Sequence, residues 1–244
     1  ESVDHGRHEE GRCESDHHTL LSVMPRGKLI VFEGPEGAGK TTQIRLIAEK
    51  LAKAGIAWLA VREPGGTPTG DAIRAILLDS EHEITAATEA LLFMASRAEL
   101  IAREIRPALE RGDVVMLDRF FLSTYAYQIV GRGLAEEEVR AANALATGRL
   151  VPDLTLLLDV PASEGLERAD ARGKRDRMER SGVEFHERVG NAFRTFTEVS
   201  WQHSHPECGP IKLIDGTGDE MSVLRRAVGV LATAFPQPFG RIET

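Results

Sequence analysis

Five apolar runs recur along the chain, and helical patterns lie between them. The runs are KLIVFEG, AWLAVRE, DVVMLDR, DLTLLLDV and IKLIDG. They are continuous in apolar residues rather than alternating, which is typical of parallel strands covered on both faces. Strands that alternate with helices are joined by right-handed crossovers. The pattern therefore predicts an α/β fold with a doubly wound five-stranded parallel sheet flanked by helices.

Four segments between the runs have the spacing of amphipathic helices. The first begins at Lys40, stops at Gly55 and has apolar residues at i, i+3, i+4 and i+7: Ile44, Ile47, Ala48 and Leu51. The other three are a short helix with Ile73, Ile76 and Leu77, a long helix from about Thr88 to Arg111 with a break near Pro107, and the segment EEEVRAANALATG that ends at Gly148.

On a helical wheel the long helix has one apolar stripe, which we expect to face the core. Its members are Leu91, Ala95, Ala98, Ala102, Ile105 and Leu109. Phe93 and Arg97 fall near the opposite side, one turn apart. A ring stacked on a nucleobase, with an arginine at the polar edge of that base, would explain this pair. The alternative for Phe93 is a second packing face under a helix near residue 120.

Composition limits the class of protein. With 244 residues, 42% of them hydrophobic, the chain fits one folded domain, which we place at residues 26–235. The polar segment 1–25 and the short segment 236–244 are expected to be tails outside it. The formal net charge of −8 argues against a general nucleic-acid binder. Two cysteines and no apolar run of ~20 residues indicate a soluble cytoplasmic protein without a membrane span.

The stretch FEGPEGAGKTTQ, residues 32–43, places three glycines between a strand pattern and a helix pattern. The spacing of Gly34, Gly39, Lys40 and Thr41 fits a phosphate-binding P-loop, which indicates a P-loop NTPase-type fold. Backbone N–H groups can surround a triphosphate, Lys40 can reach its β- and γ-phosphates, and the Thr41 hydroxyl can bind Mg²⁺. The residues predicted to bind ATP are Gly34, Pro35, Glu36, Gly37, Ala38, Gly39, Lys40, Thr41 and Thr42.

A metal-bound triphosphate usually needs a carboxylate on a neighbouring strand. Three strand patterns end in aspartate: Asp118, Asp159 and Asp215. Arg119 follows Asp118 directly, so a carboxylate and a guanidinium emerge together at the carboxyl edge of the sheet, where ligands bind in such folds. We therefore favour Asp118, together with Thr41, as the Mg²⁺ ligand, directly or through water. A plain strand-end aspartate is the alternative.

Two further segments have groups suited to a phosphate acceptor. The first, REPGGTPTGDAIR, surrounds a Pro-Gly-Gly turn, and the second, DRFFLSTYAYQ, follows the third strand pattern. Their candidate binding residues are Arg62, Glu63, Arg74, Ser123, Tyr127 and Gln128. Arginine suits phosphate because its planar fork donates two parallel hydrogen bonds. No NKxD-type guanine-binding sequence appears, which weighs against a GTPase.

From about Gly27 to Leu231, the sequence resembles the thymidylate kinase family. The matching segments, in the family's order, are FEGPEGAGKTT, REPGGT, LLFMASR, DRFFLSTYAYQ and ARGKRDRMER. The P-loop is generic, whereas REPGGT together with DRxxxSTxAYQ is specific to the family. The resemblance implies a kinase that transfers the γ-phosphate of ATP to dTMP, uses Mg²⁺ and forms a homodimer.

The resemblance also implies roles for single residues. Phe93 would stack on thymine, and Arg97 and Gln128 would lie at the base. Arg74 and Arg119 would hold the acceptor phosphate. The full set expected at the acceptor is Glu36 (near the sugar 3′-hydroxyl), Glu63, Arg74, Phe93, Arg97, Arg119, Ser123, Tyr127 and Gln128.

One departure from part of the family concerns the catalytic cation. Some members have an arginine in the P-loop, but the variable positions here are Pro35, Glu36, Gly37 and Ala38. The segment ERADARGKRDRMER is similar to the branch whose lid supplies the arginines, so we expect a small arginine-rich lid at about 168–182. The predicted catalytic residues are Lys40, Arg119, Arg172 and Arg177.

Two other functions stay open at this level. A different nucleoside monophosphate kinase or a deoxynucleoside kinase would need another base pocket, and a deoxynucleoside acceptor would need a carboxylate base at its 5′-hydroxyl. An ATP-dependent switch would have a lid that reports the nucleotide state to a partner, and its ATP hydrolysis would not depend on an acceptor. For the kinase, the expected partners are small nucleotides (ATP and dTMP) rather than nucleic acid or membrane.

Overall fold

A computed structural model describes residues 26–79, 83–170, 177–178 and 181–242. Its strands are the five predicted ones: β1 (Lys28–Glu33), β2 (Trp58–Arg62), β3 (Val114–Asp118), β4 (Leu154–Asp159) and β5 (Ile211–Asp215). They form one sheet in the order β2-β3-β1-β4-β5, and every neighbouring pair is parallel. The predicted doubly wound α/β sheet is confirmed.

The sheet is covered on both faces, because successive residues of β1 enter two different buried clusters. Leu29 and Val31 belong to one cluster, and Ile30 and Phe32 belong to the other. The register of β1 and β3 pairs Phe32 with Asp118, so the carboxyl ends of these two central strands lie side by side. This edge of the sheet is where the candidate site forms.

Helices cover both faces and follow each strand. In the described residues they are α1 (Lys40–Lys53), α2 (Pro68–Leu78), α3 (Ala86–Leu100), α4 (Arg106–Glu110), α5 (Phe121–Thr124), α6 (Glu136–Thr147), α7 (Ala162–Asp170), α8 (Val183–Thr195), α9 (Val199–Ser204), α10 (Glu220–Ala234) and α11 (Pro236–Phe239). Two π-helical segments, Ile101–Ile105 and Tyr125–Gly131, continue α3 and α5. No helix among these residues combines the length and the apolar character needed to cross a bilayer.

Two helices follow the sequence pattern closely. The four apolar residues predicted to line one face of α1 are all buried: Ile44, Ile47, Ala48 and Leu51. Helix α6 ends at Gly148, which adopts the left-handed conformation (φ 52°) that glycine tolerates best at a helix terminus. Local patterning was sufficient for α1 because its predicted apolar face is the buried one, and for the end of α6 because a single glycine terminates the helix.

The buried face of α3 is not the one that the helical wheel predicted. Leu91 is 62% exposed and Ala95 and Ala102 are exposed, whereas Met94 and Arg97 are buried. The prediction was wrong for α3 because it assigned polar side chains to solvent, whereas the later members of the same stripe, Ile105 and Leu109, are buried as predicted. In the structure, polar residues on this helix form hydrogen bonds inside the protein, and the alanine-rich stripe faces outward.

The predicted break near Pro107 takes a specific form. The π-helical segment Ile101–Ile105 precedes α4, and Pro107 lies in the first turn of α4. The backbone stays helical from Leu100 to Arg106, so Pro107 lies within a continuous helix, where its missing N–H group removes one intrahelical hydrogen bond. The π-helical turn just before it is where the hydrogen-bond pattern of the helix changes.

The segment after α10 was expected to be a tail, but residues 236–242 pack on the domain. Phe239 is completely buried and Ile242 nearly so, both in the cluster that contains Ile30 and Phe32. Their two apolar side chains extend that cluster beyond the boundary at residue 235. The expected tail 1–25 lies outside the described residues.

Candidate active site

The P-loop, residues 34–41, connects β1 to α1 at the carboxyl edge of the sheet. Gly34 (φ 141°) and Gly37 (φ 72°) have backbone conformations that other residues rarely adopt. A Cβ atom at Gly34 would lie 2.3 Å from the carbonyl oxygen of Leu158, and one at Gly37 would lie 1.9 Å from that of Gly165. Close backbone packing therefore requires glycine at both positions.

Lys40 begins α1 and lies folded over the P-loop. Its Nζ donates hydrogen bonds to the carbonyl oxygens of Gly34 (3.1 Å) and Pro35 (2.9 Å). Burial, followed by the charge of Arg119, lowers the pKa of Lys40 to about 8, although three nearby carboxylates act in the opposite direction. The loop thus holds a buried ammonium group that a phosphate could take over from the two carbonyls.

Thr41 and Asp118 meet at the same edge. The Thr41 hydroxyl donates to Oδ2 of Asp118 over 2.6 Å, across 77 residues of sequence. Two oxygen ligands, one hydroxyl and one carboxylate, suit a hard divalent cation that keeps other positions for water and phosphate. The residue types and their separation therefore fit Mg²⁺.

Arg119 links the P-loop to the segment that follows β3. Its guanidinium donates to Oε2 of Glu36 (2.7 Å) and to Oγ of Ser123 (3.1 Å), and it lies 5.3 Å from the centre of the Tyr127 ring. Burial alone would lower the pKa of Arg119, but Tyr127 and the surrounding carboxylates raise it above its ordinary value. A permanent positive charge is therefore fixed at the centre of the site.

Sequence reasoning missed Glu33, the residue that stabilises the turn after β3. In this turn Arg119 has a left-handed backbone (φ 72°), which is unfavourable for residues other than glycine. The fully buried carboxylate of Glu33 accepts hydrogen bonds from Phe120 N (2.7 Å), Ser123 N (3.0 Å) and Ser123 Oγ (2.7 Å). A charged residue at the end of an apolar strand pattern was the available signal.

The turn after β2 brings Arg74 toward the site. Arg74 donates to the carbonyl oxygen of Pro64 over 2.8 Å, and Gly65 N donates to Oγ of Ser96 over 2.9 Å. Thr67 accepts from Gly70 N (3.0 Å) and so caps α2. These bonds tie the Pro-Gly-Gly segment to α2 and α3.

Arg97 and Glu63 form a buried ion pair. Arg97 Nε donates to Oε2 of Glu63 over 2.7 Å, and both side chains are almost completely buried. The other guanidinium nitrogens donate to Thr124 Oγ1 (3.1 Å), to Asn143 Oδ1 and to the carbonyl oxygen of Phe120 (3.0 Å). All three nitrogens of Arg97 thus have protein acceptors, so a bond from Arg97 to a base would be shared with one of them.

Gln128 donates from Nε2 to Oε1 of Glu89 over 2.9 Å. Glu89 also binds Arg132 (3.1 Å) and Arg177 (2.7 Å) through Oε2. Arg177 further donates to the carbonyl oxygen of Leu77 at the end of α2 (2.8 Å). The predicted contact of Arg177 with ATP stays a prediction, and it would require this arginine to leave Glu89. Its predicted partner in catalysis, Arg172, lies outside the described residues.

These groups surround one cavity of about 330 Å³. Its wall contains P-loop residues 36–42, Asp118 and the whole set expected at the acceptor: Glu36, Glu63, Arg74, Phe93, Arg97, Arg119, Ser123, Tyr127 and Gln128. Gly34 and Pro35 contribute indirectly, through the carbonyl oxygens that bind Lys40. The P-loop and a group of arginines therefore open into the same space.

Comparison with known proteins identifies the family. A family model described as thymidylate kinase matches residues 32–203, which is more than half of the chain. The chain belongs to the thymidylate kinase family. The thymidylate kinase of Pseudomonas fluorescens is 52% identical over 168 residues, which cover 68% of this chain and 80% of that protein.

Two further relatives extend the match. The thymidylate kinase of Deinococcus radiodurans is 48% identical over 184 residues, covering 75% of this chain and 87% of the relative. The thymidylate kinase of Lactobacillus delbrueckii subsp. bulgaricus is 43% identical over 220 residues, covering 88% of this chain and 100% of the relative. The resemblance inferred from the motifs is confirmed, and the match spans nearly all of the folded chain.

Proposed function

We propose that this thymidylate kinase family member catalyses ATP + dTMP → ADP + dTDP. The observation that supports this most directly is the shared cavity. The P-loop with Lys40 forms one part of its wall, and Phe93, Arg74 and Gln128 form another. Arg119 contacts the P-loop through Glu36 and the segment after β3, which also contains Gln128, through Ser123. Two phosphate-bearing ligands can thus meet at one fixed positive charge.

At the donor, the N–H groups at the start of α1 and Lys40 would bind the ATP phosphates. Thr41 and Asp118 would hold Mg²⁺, since their oxygens already lie 2.6 Å apart beside the P-loop. When bound, Mg²⁺ would neutralise phosphate charge. Protein sites for this ion commonly supply only one or two oxygens, because phosphates and water complete the coordination.

At the acceptor, Arg74 and Arg119 would hold the dTMP phosphate and Phe93 would stack on thymine. Gln128 would bind the polar edge of the base, with Arg97 supporting that wall from inside. Glu36 would reach the sugar 3′-hydroxyl after exchanging its contact with Arg119 for the substrate phosphate. Glu63 would keep Arg97 in place, since the two form a buried pair.

The reaction does not need a strong general base, because the attacking phosphate oxygen is already anionic. Catalysis would come from aligning two anions and stabilising the charge that spreads over the transferring group. Among the described residues, Lys40 and Arg119 are the cations that would stabilise this charge. The P-loop has no arginine, so we propose that the lid at about 168–182 supplies the remaining cation, with Arg172 as the leading candidate.

A panel of acceptors tests the function. ADP release with ATP and Mg²⁺ would be measured with dTMP, dUMP, dCMP, dAMP, dGMP, thymidine and no acceptor. We expect dTMP to be used best, then dUMP, with dCMP and purine nucleotides poor. Turnover with thymidine but not dTMP would indicate a deoxynucleoside kinase. ATP hydrolysis indifferent to every acceptor would indicate a switch and contradict the proposal.

We also propose a homodimer, formed through the outward faces of α2, α3 and α6. These helices pack in that order, and each exposes an apolar side chain: Ile76 (43%), Leu91 (62%) and Leu145 (86%). The alanine-rich stripe of α3 lies on the same outward side as Leu91. A second copy of this face would cover these residues.

Sedimentation analysis of Leu91→Asp and Leu145→Asp tests the interface. We expect the parent to sediment as a dimer and both variants as monomers. Val199→Asp is the matched control, because Val199 is equally apolar and 69% exposed but lies on α9. A monomeric parent, or variants that dimerise as well as the control, would contradict the proposal. We also propose that the enzyme works in the cytoplasm, where it would have access to ATP and dTMP.

A further inference from the structure

Glu89 is a buried carboxylate that the proposed reaction does not use directly. It lies in the first turn of α3, and its side chain is only 1% exposed. Three donors surround it: Gln128 Nε2 (2.9 Å), the guanidinium of Arg132 (3.1 and 3.2 Å) and that of Arg177 (2.7 Å). Gln128 lines the acceptor cavity, whereas Glu89 itself lies behind the wall. Among the described residues that line the cavity, Gln128 is the one that is hydrogen-bonded to Glu89.

Glu89 is ionised at neutral pH. Burial alone would raise its pKa, but hydrogen bonds from Arg132, Gln128 and Arg177, together with the charge of Arg132, lower the pKa below the ordinary value for glutamate. An ionised carboxylate has no proton to donate and accepts at every lone pair. Arginine is donor-only, so Arg132 and Arg177 also exclude a protonated form at this position.

This charge state determines which way the Gln128 amide faces. A glutamine amide can usually be turned by 180°, exchanging its N–H₂ and carbonyl ends. Here the end facing Glu89 must be the N–H₂ donor, because a carbonyl oxygen would meet the carboxylate as a second acceptor. Within the described part of the chain, Gln128 Oε1 has no protein partner, and Gln128 is 2% exposed in the cavity wall. The carbonyl is thus the end left for a ligand.

We propose that Glu89 is a positioning residue for base selection, because it locks Gln128 with its carbonyl oxygen toward the acceptor base. A fixed acceptor matches a pyrimidine whose N3 carries a hydrogen, as in thymine and uracil. It opposes cytosine, whose neutral N3 is itself an acceptor. This inference rests on the proposed function and specifies how that site distinguishes its acceptors.

Glu89→Gln removes the lock with almost no change in shape. At the Oε2 position, the N–H₂ group of the new amide would face two arginine donors, Arg132 (3.1 Å) and Arg177 (2.7 Å). At the Oε1 position, beside Gln128, it would face one arginine donor, the longer contact from Arg132 Nε (3.2 Å). The N–H₂ end therefore turns toward Gln128, which must rotate to present its carbonyl oxygen. The N–H₂ end of Gln128 then faces the cavity, where it matches cytosine and opposes thymine.

Steady-state kinetics with dTMP, dUMP and dCMP test this. An unpaired buried polar group corresponds to about 5- to 150-fold in rate, so we expect the dTMP-to-dCMP ratio of kcat/KM to fall by about that factor in Glu89→Gln. The dTMP-to-dUMP ratio should not change, because both bases carry a hydrogen at N3. Glu207→Gln is the matched control, since Glu207 accepts from Tyr125 and Arg140 but lies outside the acceptor cavity.

A double-mutant cycle separates positioning from general damage. In a Gln128→Ala background, Glu89→Gln should leave the dTMP-to-dCMP ratio unchanged, because the residue through which it acts is missing. An unchanged ratio in folded Glu89→Gln, or an equal shift in the Gln128→Ala background, would overturn the inference. A parent enzyme that fails to use dTMP would instead overturn the proposed function.

One measurement needs no folded Glu89 variant. In the parent protein, the side-chain N–H₂ signal of Gln128, assigned by its loss in Gln128→Ala, should exchange with solvent far more slowly than that of the exposed Gln237. Slow exchange is expected because the group donates to a buried carboxylate. Exchange as fast as that of Gln237 would contradict the lock.

Discussion

ATP binding should weaken above about pH 8, because Lys40 must be protonated to pair with the phosphates. In the free protein, burial and the charge of Arg119 lower the pKa of Lys40 from 10.5 to about 8. A bound triphosphate raises this pKa again, since it places negative charge beside the ammonium group. Binding therefore takes up a proton whenever the pH exceeds about 8, and the affinity falls as the pH rises.

The size of the effect follows from the pKa. At pH 9, about one unit above it, roughly nine-tenths of the free protein has a neutral Lys40. The ATP dissociation constant should then be about tenfold higher than at pH 7, which corresponds to about 1.4 kcal/mol. Asp118→Asn should move the onset to lower pH, because the Asp118 charge raises the pKa of Lys40 in the parent.

Calorimetric titration with ATP and Mg²⁺, without acceptor, measures this in buffers of different ionisation enthalpy. Proton uptake should approach one per ATP near pH 9. Lys40→Arg is the control, because its guanidinium stays charged throughout this range and should bind with little pH dependence. Affinity that does not change between pH 7 and 9, or the same dependence in Lys40→Arg, would refute the assignment.

Three further predictions concern the acceptor wall and the lid. Phe93→Ala should raise the KM for dTMP about 5- to 150-fold and leave ATP binding unchanged, because it removes one aromatic stacking partner; equal loss of both affinities would contradict this. Arg97→Ala should lower the free energy of unfolding by about 3–5 kcal/mol in urea titrations, because it leaves Glu63 buried without its partner. An unchanged unfolding midpoint would argue against that pair. Arg172→Ala should reduce kcat by about 10³-fold or more with little effect on dTMP affinity, and normal turnover would place the cation elsewhere.

The fold and the P-loop could be predicted because their signals are local. Continuous apolar runs indicate the central strands, and the P-loop can be recognised from the spacing of the glycines just before Lys40. The close approach of Gly37 to Gly165 explains that spacing but is invisible in the chain itself. The pairing of Thr41 with Asp118 was predictable for a similar reason, since parallel strands bring their carboxyl ends to one edge.

The acceptor wall was harder to predict because its polar groups are buried by partners far away in sequence. Arg97 is buried because Glu63, 34 residues earlier, and Asn143, 46 residues later, accept its hydrogen bonds. A hydrophobicity wheel has no means of representing such partners, so it assigned the opposite face of α3 to the core. Glu89 went unnoticed for the same reason, because an acidic residue in a first helical turn ordinarily stabilises the helix dipole and faces solvent.

The central claim is tested most directly by following the γ-phosphate itself. The purified full chain would be incubated with γ-³²P-labelled ATP, Mg²⁺ and dTMP, and the labelled products separated. The account predicts that the label appears in the β-phosphate of dTDP, in proportion to the ADP formed, and that little inorganic phosphate is released. Label recovered as inorganic phosphate at a rate independent of dTMP would contradict it.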